Sequence, residues 1–304
     1  MLNVAYIFPG QGAQYVGMGE EVQRRYPPAK EVFERANNVL GFDLAGLIFK
    51  GPFEELSRTL NCQVAVFTVS VACLRAFQAQ KPGINVRYTA GLSLGEYTAL
   101  VAAEALDFEE ALRLVRQRAQ YMEEAAQQNP GGMISLIGLP LDTVKKICEE
   151  AKVEIANLNC PGQVVISGSL AALEKAKDLA RACGARRVIP LKVSGAFHSS
   201  LMTKAAQKLA KVLEGVKIRP PRIPVISNVT AAEENSPEEI KGNLARQVAS
   251  GTRWEDSINF ISSCGIRNFI EIGPGKVLRG LLRKIDPQLK VYNIETVEDL
   301  ESFK

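Results

Sequence analysis

The stretch VRYTAGLSLGEYTAL, residues 86–100, decides the fold. Val86–Ala90 is a short β-rich run, Gly91-Leu92-Ser93-Leu94-Gly95 has the form G-x-S-x-G, and Glu96–Ala105 has helical character. A strand running through such a motif into a helix is a sharp turn that glycines on either side allow to close. The turn projects the serine from the sheet edge and aims the next backbone amide, that of Leu94, at an oxyanion forming there. The five-residue pattern alone describes a structural Ser-Gly turn equally well. The strand before it and the helix after it, together with its single occurrence in the chain, favour Ser93 as a nucleophile.

Outward from this turn, short strands alternate with longer helices. Val4–Phe8 reads as a strand followed by a tight PGQG loop at 9–12, helical patterns fill much of 15–80, and a long helix covers Phe108–Gln128. Further strands are expected at Val225–Ser227, Asn268–Ile272 and Val291–Ile294. This alternation predicts an α/β domain with a largely parallel sheet. The middle differs. Strand Met133–Leu139, helix Leu141–Ala151, strands Glu154–Leu158 and Val164–Ser167 around Pro161-Gly162, helix Leu170–Cys183 before Gly184, and strand Arg187–Val193 follow one another. That β-α-β-β-α-β order is the ferredoxin-like split unit. The expected organisation is a subdomain at 130–195 inserted into a larger unit made of 1–129 and 196–304.

The bulk composition narrows the function classes. The 304 residues are 46% hydrophobic and 23% charged, with a net charge of +4, too mild and too dispersed for a nucleic-acid binder. Six cysteines without C-x-x-C spacing and a single histidine argue against a zinc site and for reduced thiols in the cytoplasm. The start Met-Leu-Asn carries no basic segment before its short apolar run, so no signal sequence is expected. The apolar stretch Val64–Phe77 is broken by Thr68, Ser70 and Arg75, so no membrane span is expected either. Gly10 and Gly12 lack the third glycine of a dinucleotide loop, because Tyr15 stands there, and Lys276 is followed by Val277 rather than Ser or Thr, so no phosphate loop is expected. No metal or cofactor is called for.

A serine hydroxyl needs a base near neutral pH. His198, in SGAFHSSLM at 194–202, is the single histidine and follows a strand end, where sites gather in α/β domains. A lone histidine is more often a surface or capping residue, but any Ser-His mechanism in this chain must use this one. The second clue is an arginine out of place. At about 100° per residue, Ala111, Leu112, Leu114, Val115, Ala119 and Met122 share one face of the helix 108–128, and Arg118 falls among them. A desolvated guanidinium demands an anion. An internal carboxylate or a snorkelling side chain would explain it, but with the serine turn upstream the preferred reading is that Arg118 receives a substrate carboxylate in bidentate fashion.

Seven segments now resemble one family, the malonyl-CoA:acyl-carrier-protein transacylases and related acyltransferase domains of fatty-acid and polyketide synthases. They are PGQGAQYVGM (9–18), GLSLGEYTAL (91–100), RAQYM (118–122), NCPGQVVISG (159–168), GAFHSSLM (195–202), QVASGTRW (247–254) and EIGPG (271–275). The resemblance implies an α/β-hydrolase-like domain with a ferredoxin-like insert, and malonyl-CoA and acyl carrier protein as partners. It implies Ser93 as acyl acceptor, His198 as general base and acid, and Arg118 as clamp for the malonyl carboxylate. Gln11 and Leu94 become the oxyanion amides. Gln247 stands where the family's main chain orients the histidine, and Asn159 and Gln163 lie near the active-site mouth; with Phe197 they complete the substrate-binding set. Ala-Phe-His goes with malonyl selectivity in this family. Three departures stand out: Leu92 replaces the usual histidine, Ala119 the usual glycine, and Gly251-Thr252 the usual Pro-Val. A basic rim for the acidic carrier is sought among Lys276, Arg279, Arg283 and Lys284, or at Arg186 and Arg187. The rival readings are a serine esterase or thioesterase, and a carrier-binding subunit without activity.

Overall fold

The central strand β1 (Asn3–Phe8) is buried at every residue after Asn3, on both faces of its pleat. A strand of that kind has helices on both sides of its sheet. The computed structural model describes residues 3–303; the two residues before and the one after, which the N-terminal reading and the outer domain limits include, lie outside it. The remaining strands are β2 (Asn85–Gly91), β3 (Gly131–Ile137), β4 (Glu154–Cys160), β5 (Gln163–Ser169), β6 (Arg187–Pro190), β7 (Val225–Ile226), β8 (Glu233–Glu234), β9 (Asn268–Ile272) and β10 (Lys290–Ile294). They form two sheets, of order β10-β9-β1-β2-β7-β8 and β4-β5-β3-β6, in a mixed α/β fold.

The first sheet is parallel throughout except for β8, which turns back antiparallel on β7. The chain leaves β1 toward β2 on one side and returns through β9 on the other, so loops diverge at the carboxyl end of β1. Crevices of this type are where α/β sheets bind ligands. The loop after β1 carries Gly10 and Gln11, the turn after β2 carries Ser93, and the segment after β7 carries Asn228. Helix Thr59–Gln80 is long and apolar enough to cross a membrane, yet it is a core helix here, with every residue from Cys62 to Leu74 buried. Helix Phe108–Gln128 packs beside it and buries the face expected from its sequence, including Arg118.

The second sheet is antiparallel at every pairing. Its order is that of the β-α-β-β-α-β unit expected from the sequence. Alternation along β3 sends Ile134 and Leu136 toward helices Leu141–Ala151 and Leu170–Ala182, and Met133 toward the main core. That second face lies over the catalytic crevice. A short bridge ties the sheets' supports together: Thr252 N donates to Ala156 O (2.8 Å) and Leu158 N to Thr252 O (2.9 Å). A Cβ at Gly251 would lie 2.5 Å from Ile155 O, which accounts for glycine at this departure from the family pattern.

Several elements differ from the sequence reading; the helix expected over Glu96–Ala105, for one, ends at Ala102. The strand expected over Arg187–Val193 ends at Pro190; Leu191 N still donates to Met133 O (2.9 Å), but Val193 N then turns back onto Leu191 O (3.0 Å), a tight turn that takes the chain off the ladder. After His198 a 3-10 turn at Ser200–Met202 leads into an α-helix at Thr203–Gly215. The hairpin strand β8 was not foreseen, since two glutamates in a turn-rich segment carry no β signal.

Candidate active site

The turn at 91–95 is closed as tightly as the glycines suggest. A Cβ at Gly91 would fall 1.9 Å from Gly95 C, and one at Gly95 would fall 2.1 Å from Phe8 O. Between them Ser93 has φ 51, a left-handed conformation that side chains other than glycine adopt at a cost of about 1–3 kcal/mol. Asn228 holds it there: its Oδ1 accepts from Ser93 N (2.6 Å) and its Nδ2 donates to Gly91 O (2.7 Å). His198 is in the same left-handed region, at φ 59. Two strained residues facing each other mark a site whose surroundings over-determine it.

Ser93 Oγ lies 2.8 Å from His198 Nε2. His198 Nδ1 faces two carbonyl oxygens, Gln247 O at 2.9 Å and Ser250 O at 3.2 Å. Carbonyls only accept, so Nδ1 carries the proton and Nε2 is left as the acceptor for the serine hydroxyl. Main-chain oxygens thus do the orienting that a carboxylate does in a Ser-His-Asp triad. Burial, and after it the Arg118 charge, push the imidazole down to about 4, so at physiological pH it is neutral and its Nε2 lone pair is free to accept a proton.

Arg118 is 1% exposed. Its Nη1 donates to Gln63 Oε1 (2.6 Å), and its Nη2 donates to Gln247 Oε1 (3.0 Å) and to Ser93 Oγ (2.9 Å). Its Nε has no partner among the described residues. Every acceptor it uses is neutral; no described carboxylate pairs with it directly. Tyr97 lies with its ring centroid 5.5 Å from the guanidinium carbon. The serine hydroxyl, the imidazole and the guanidinium therefore meet at one point.

Gln11 and Leu94 flank that point. A Cβ at Gly10 would lie 2.5 Å from Leu92 O and 3.9 Å from Leu94 N, so the loop after β1 passes directly against the serine turn. Neither the Gln11 N–H nor the Leu94 N–H finds an acceptor among the described residues. Two free amides beside a strained serine suit an oxyanion. The cleft above them has an empty volume of about 830 Å³ up to its open mouth. Gln11, Leu94, Asn159, Gln163 and Phe197 all line it, with Met122, Met133 and Val165 supplying apolar wall. Asn159 is buried with Oδ1 unpartnered, and Gln163 accepts from Lys284 Nζ (3.0 Å). Leu92 also lines the cleft and packs against the Trp254 cluster, an apolar role that fits leucine at this departure.

Gln247 sits elsewhere than the substrate-binding set in which the sequence reading grouped it. It is fully buried behind the site and does not line the cleft. Its Nε2 donates to Ser93 O (3.0 Å) and to Glu96 Oε2 (2.8 Å), its Oε1 accepts from Arg118, and its carbonyl holds His198. Sequence reasoning missed Glu96, Asn228, Gln63 and Ser250. Two of these had a signal: Glu96 is a carboxylate on the wholly buried helix Gly95–Ala102, and Gln63 is an amide in the apolar run of Thr59–Gln80.

A sequence model of the acyl transferase domain matches residues 5–296. The malonyl CoA-acyl carrier protein transacylase of Bacillus subtilis (strain 168) is 46% identical over 306 residues, covering 99% of this chain and 96% of the relative. The crystal structure of an acyl carrier protein S-malonyltransferase from Vibrio cholerae superposes with a TM-score of 0.95 at 41% identity, covering 99% of both chains. A solved complex of a type II PKS acyl-carrier protein with its malonyl-transacylase superposes at 0.96 and 40% identity, covering 99% of this chain and 98% of that one. With the serine, histidine and arginine geometry described above, these full-length likenesses show that the chain belongs to the acyl transferase family.

Proposed function

We propose that this enzyme transfers a malonyl group from coenzyme A to the phosphopantetheine thiol of acyl carrier protein, through a malonyl ester on Ser93. The observation that carries the reading is the buried Arg118 guanidinium, 2.9 Å from the serine hydroxyl and without a carboxylate partner of its own. In an apolar wall such a group selects an acyl chain that ends in a carboxylate.

His198 Nε2 takes the hydroxyl proton as Ser93 Oγ attacks the thioester carbonyl carbon. The amides of Gln11 and Leu94 hold the tetrahedral oxyanion. Collapse breaks the carbon–sulfur bond, and the coenzyme thiolate leaves with the proton from His198. The carrier thiol then gives its proton to His198, attacks the ester carbonyl, and releases Ser93 Oγ, which recovers the proton. Arg118 holds the malonate carboxylate throughout, releasing Ser93 Oγ as it does so. Phe197 closes the wall beside the malonyl α-carbon and disfavours branched units. Gln247 orients His198 and Arg118, while Asn159 and Gln163 meet the thioester arm near the mouth.

Residues 130–195 serve as a subdomain roofing the crevice of the unit made of 1–129 and 196–304. Helix Val277–Ile285 borders the mouth, and its Lys284, which donates to the mouth residue Gln163 (3.0 Å), marks the basic rim offered to the acidic carrier. Six free cysteines, four of them buried, suit the reducing cytoplasm. The product supplies malonyl units for fatty-acid or polyketide synthesis. A serine esterase or thioesterase would share the serine turn but releases free acid. Intact-protein mass spectrometry with malonyl-CoA, then with holo carrier protein, separates the two. An adduct on Ser93 that is discharged onto the carrier supports transfer; malonate released to water with no carrier product rejects it.

A further inference from the structure

Glu96 lies behind the site and touches neither the cleft nor the reacting atoms. Its side chain is fully buried, at the first turn of helix Gly95–Ala102, two residues past the nucleophile's flanking Leu94. One oxygen, Oε2, accepts two bonds: from Gln247 Nε2 (2.8 Å) and from Asn228 N (3.0 Å). The other, Oε1, has no partner among the described residues. Burial raises the Glu96 carboxyl, the first cause among several. The neighbouring buried Glu234, whose Oε1 accepts from Asn243 Nδ2 (2.7 Å), is raised for the same reason.

The Gln247 amide has two ends with opposite demands. Its Oε1 must face Arg118 Nη2, which can only donate, and its Nε2 must face two acceptors: Ser93 O, and Glu96 Oε2, which the Asn228 N–H keeps as an acceptor so that any carboxyl proton sits on Oε1. Rotated by half a turn, the amide would set its NH2 against the guanidinium and its oxygen against two acceptors. The acceptor on Glu96 supplies half of the pull that prevents this. The arrangement also keeps an internal carboxylate one amide away from Arg118, so the guanidinium is steadied without being neutralised.

We infer that Glu96 is a positioning residue for substrate selection: its acceptor oxygen fixes the Gln247 amide, and the amide fixes Arg118 where the substrate carboxylate arrives. This rests on the reading of Arg118 as the malonyl clamp.

Two conservative replacements separate acceptor placement from charge. E96Q removes the charge but keeps a carbonyl oxygen where Oε2 stands. E96D keeps the charge but withdraws the oxygens by one methylene. Steady-state transfer to holo carrier protein is measured with malonyl-CoA and acetyl-CoA for the wild type and both variants, with melting temperatures recorded alongside. The expected result is that E96D raises the malonyl KM about tenfold while acetyl transfer changes less than about threefold. E96Q keeps the malonyl-over-acetyl preference within about threefold of the wild type. A preference lost in E96Q, a preference retained in E96D, or an equal fall for both donors in E96D would each overturn the inference. An equal fall is what support of the serine turn alone, through Asn228, would produce. The clamp reading is checked separately by R118A: if R118A keeps full malonyl preference, that reading fails, and the Glu96 variants are not its judge.

Discussion

Replacing Arg118 by alanine strikes the group on which the substrate assignment depends. On the proposed reading, the malonyl carboxylate enters the cleft walled by Met122, Met133 and Phe197 and meets a guanidinium that is itself shielded from water. Without Arg118 the carboxylate is buried with no counter-charge, a loss of about 2–5 kcal/mol for one partner of a buried charge pair. At 1.36 kcal/mol per factor of ten, kcat/KM for malonyl-CoA falls by roughly 30-fold to several thousand-fold. Acetyl-CoA has no carboxylate to strand. Its transfer also gains, because Arg118 Nη2 no longer occupies Ser93 Oγ (2.9 Å) and no longer opposes protonation of His198. The malonyl-to-acetyl ratio is therefore expected to fall by at least about 30-fold. Alanine also leaves Gln63 Oε1 and Gln247 Oε1 without their donor, at about 1–3 kcal/mol each in stability. R118M, which fills most of the space, is the control for packing. The assay is initial-rate transfer of labelled acyl groups from both thioesters to holo carrier protein, on variants whose melting curves show a folded state. A malonyl-to-acetyl ratio within threefold of the wild type would refute the clamp.

Four further outcomes follow from the same geometry. Because His198 is held near 4, kcat/KM for malonyl-CoA should rise with pH through about 4 and be flat across 6.5; R118M should move the limb upward, and a wild-type limb at the ordinary histidine value would contradict the burial argument. The same lowered value makes folding stability present above the unfolded value of 6.5 and lost as pH falls from there toward about 4, which acid melting curves can read. S93G should abolish the malonyl adduct yet raise the melting temperature by a few degrees, since glycine accepts φ 51 without the strain of about 1–3 kcal/mol; a lower melting temperature would show that Ser93 is not strained. F197S should open the wall beside the acyl chain and raise methylmalonyl transfer relative to malonyl, and an unchanged ratio would remove Phe197 from selectivity.

Much of this was legible in the chain because it is written in local pattern. The helix Phe108–Gln128 and the strand Asn268–Ile272 have the limits their periodicity predicts, and Leu141–Ala151 does as well. The β-α-β-β-α-β order foretold a second sheet. Arg118 betrayed itself by breaking an apolar stripe, and Ser93 by the glycines that its turn requires. The same turn assigned the Leu94 amide, and family resemblance then gave roles to Gln11, Asn159, Gln163 and Gln247 that periodicity alone could not. The misses have physical causes too. β8 pairs only because β7 offers it an edge, and the strand from Arg187 stops short because Val193 N turns back onto Leu191 O (3.0 Å).

The sequence by itself determined the elements, the nucleophile's turn and the charge buried on one helix, because each follows from neighbours within a few turns or one pleat. Only the tertiary structure decided what that charge and that serine are tied to. Asn228, Gln247 and Glu96 come from three separate elements, and a hydrogen bond such as Gln247 Nε2 to Glu96 Oε2 joins residues 151 positions apart. Its 2.8 Å geometry exists only once the strands have aligned their carboxyl ends at a common edge. Local pattern places residues along the chain, whereas donor and acceptor satisfaction across elements depends on how those elements pack.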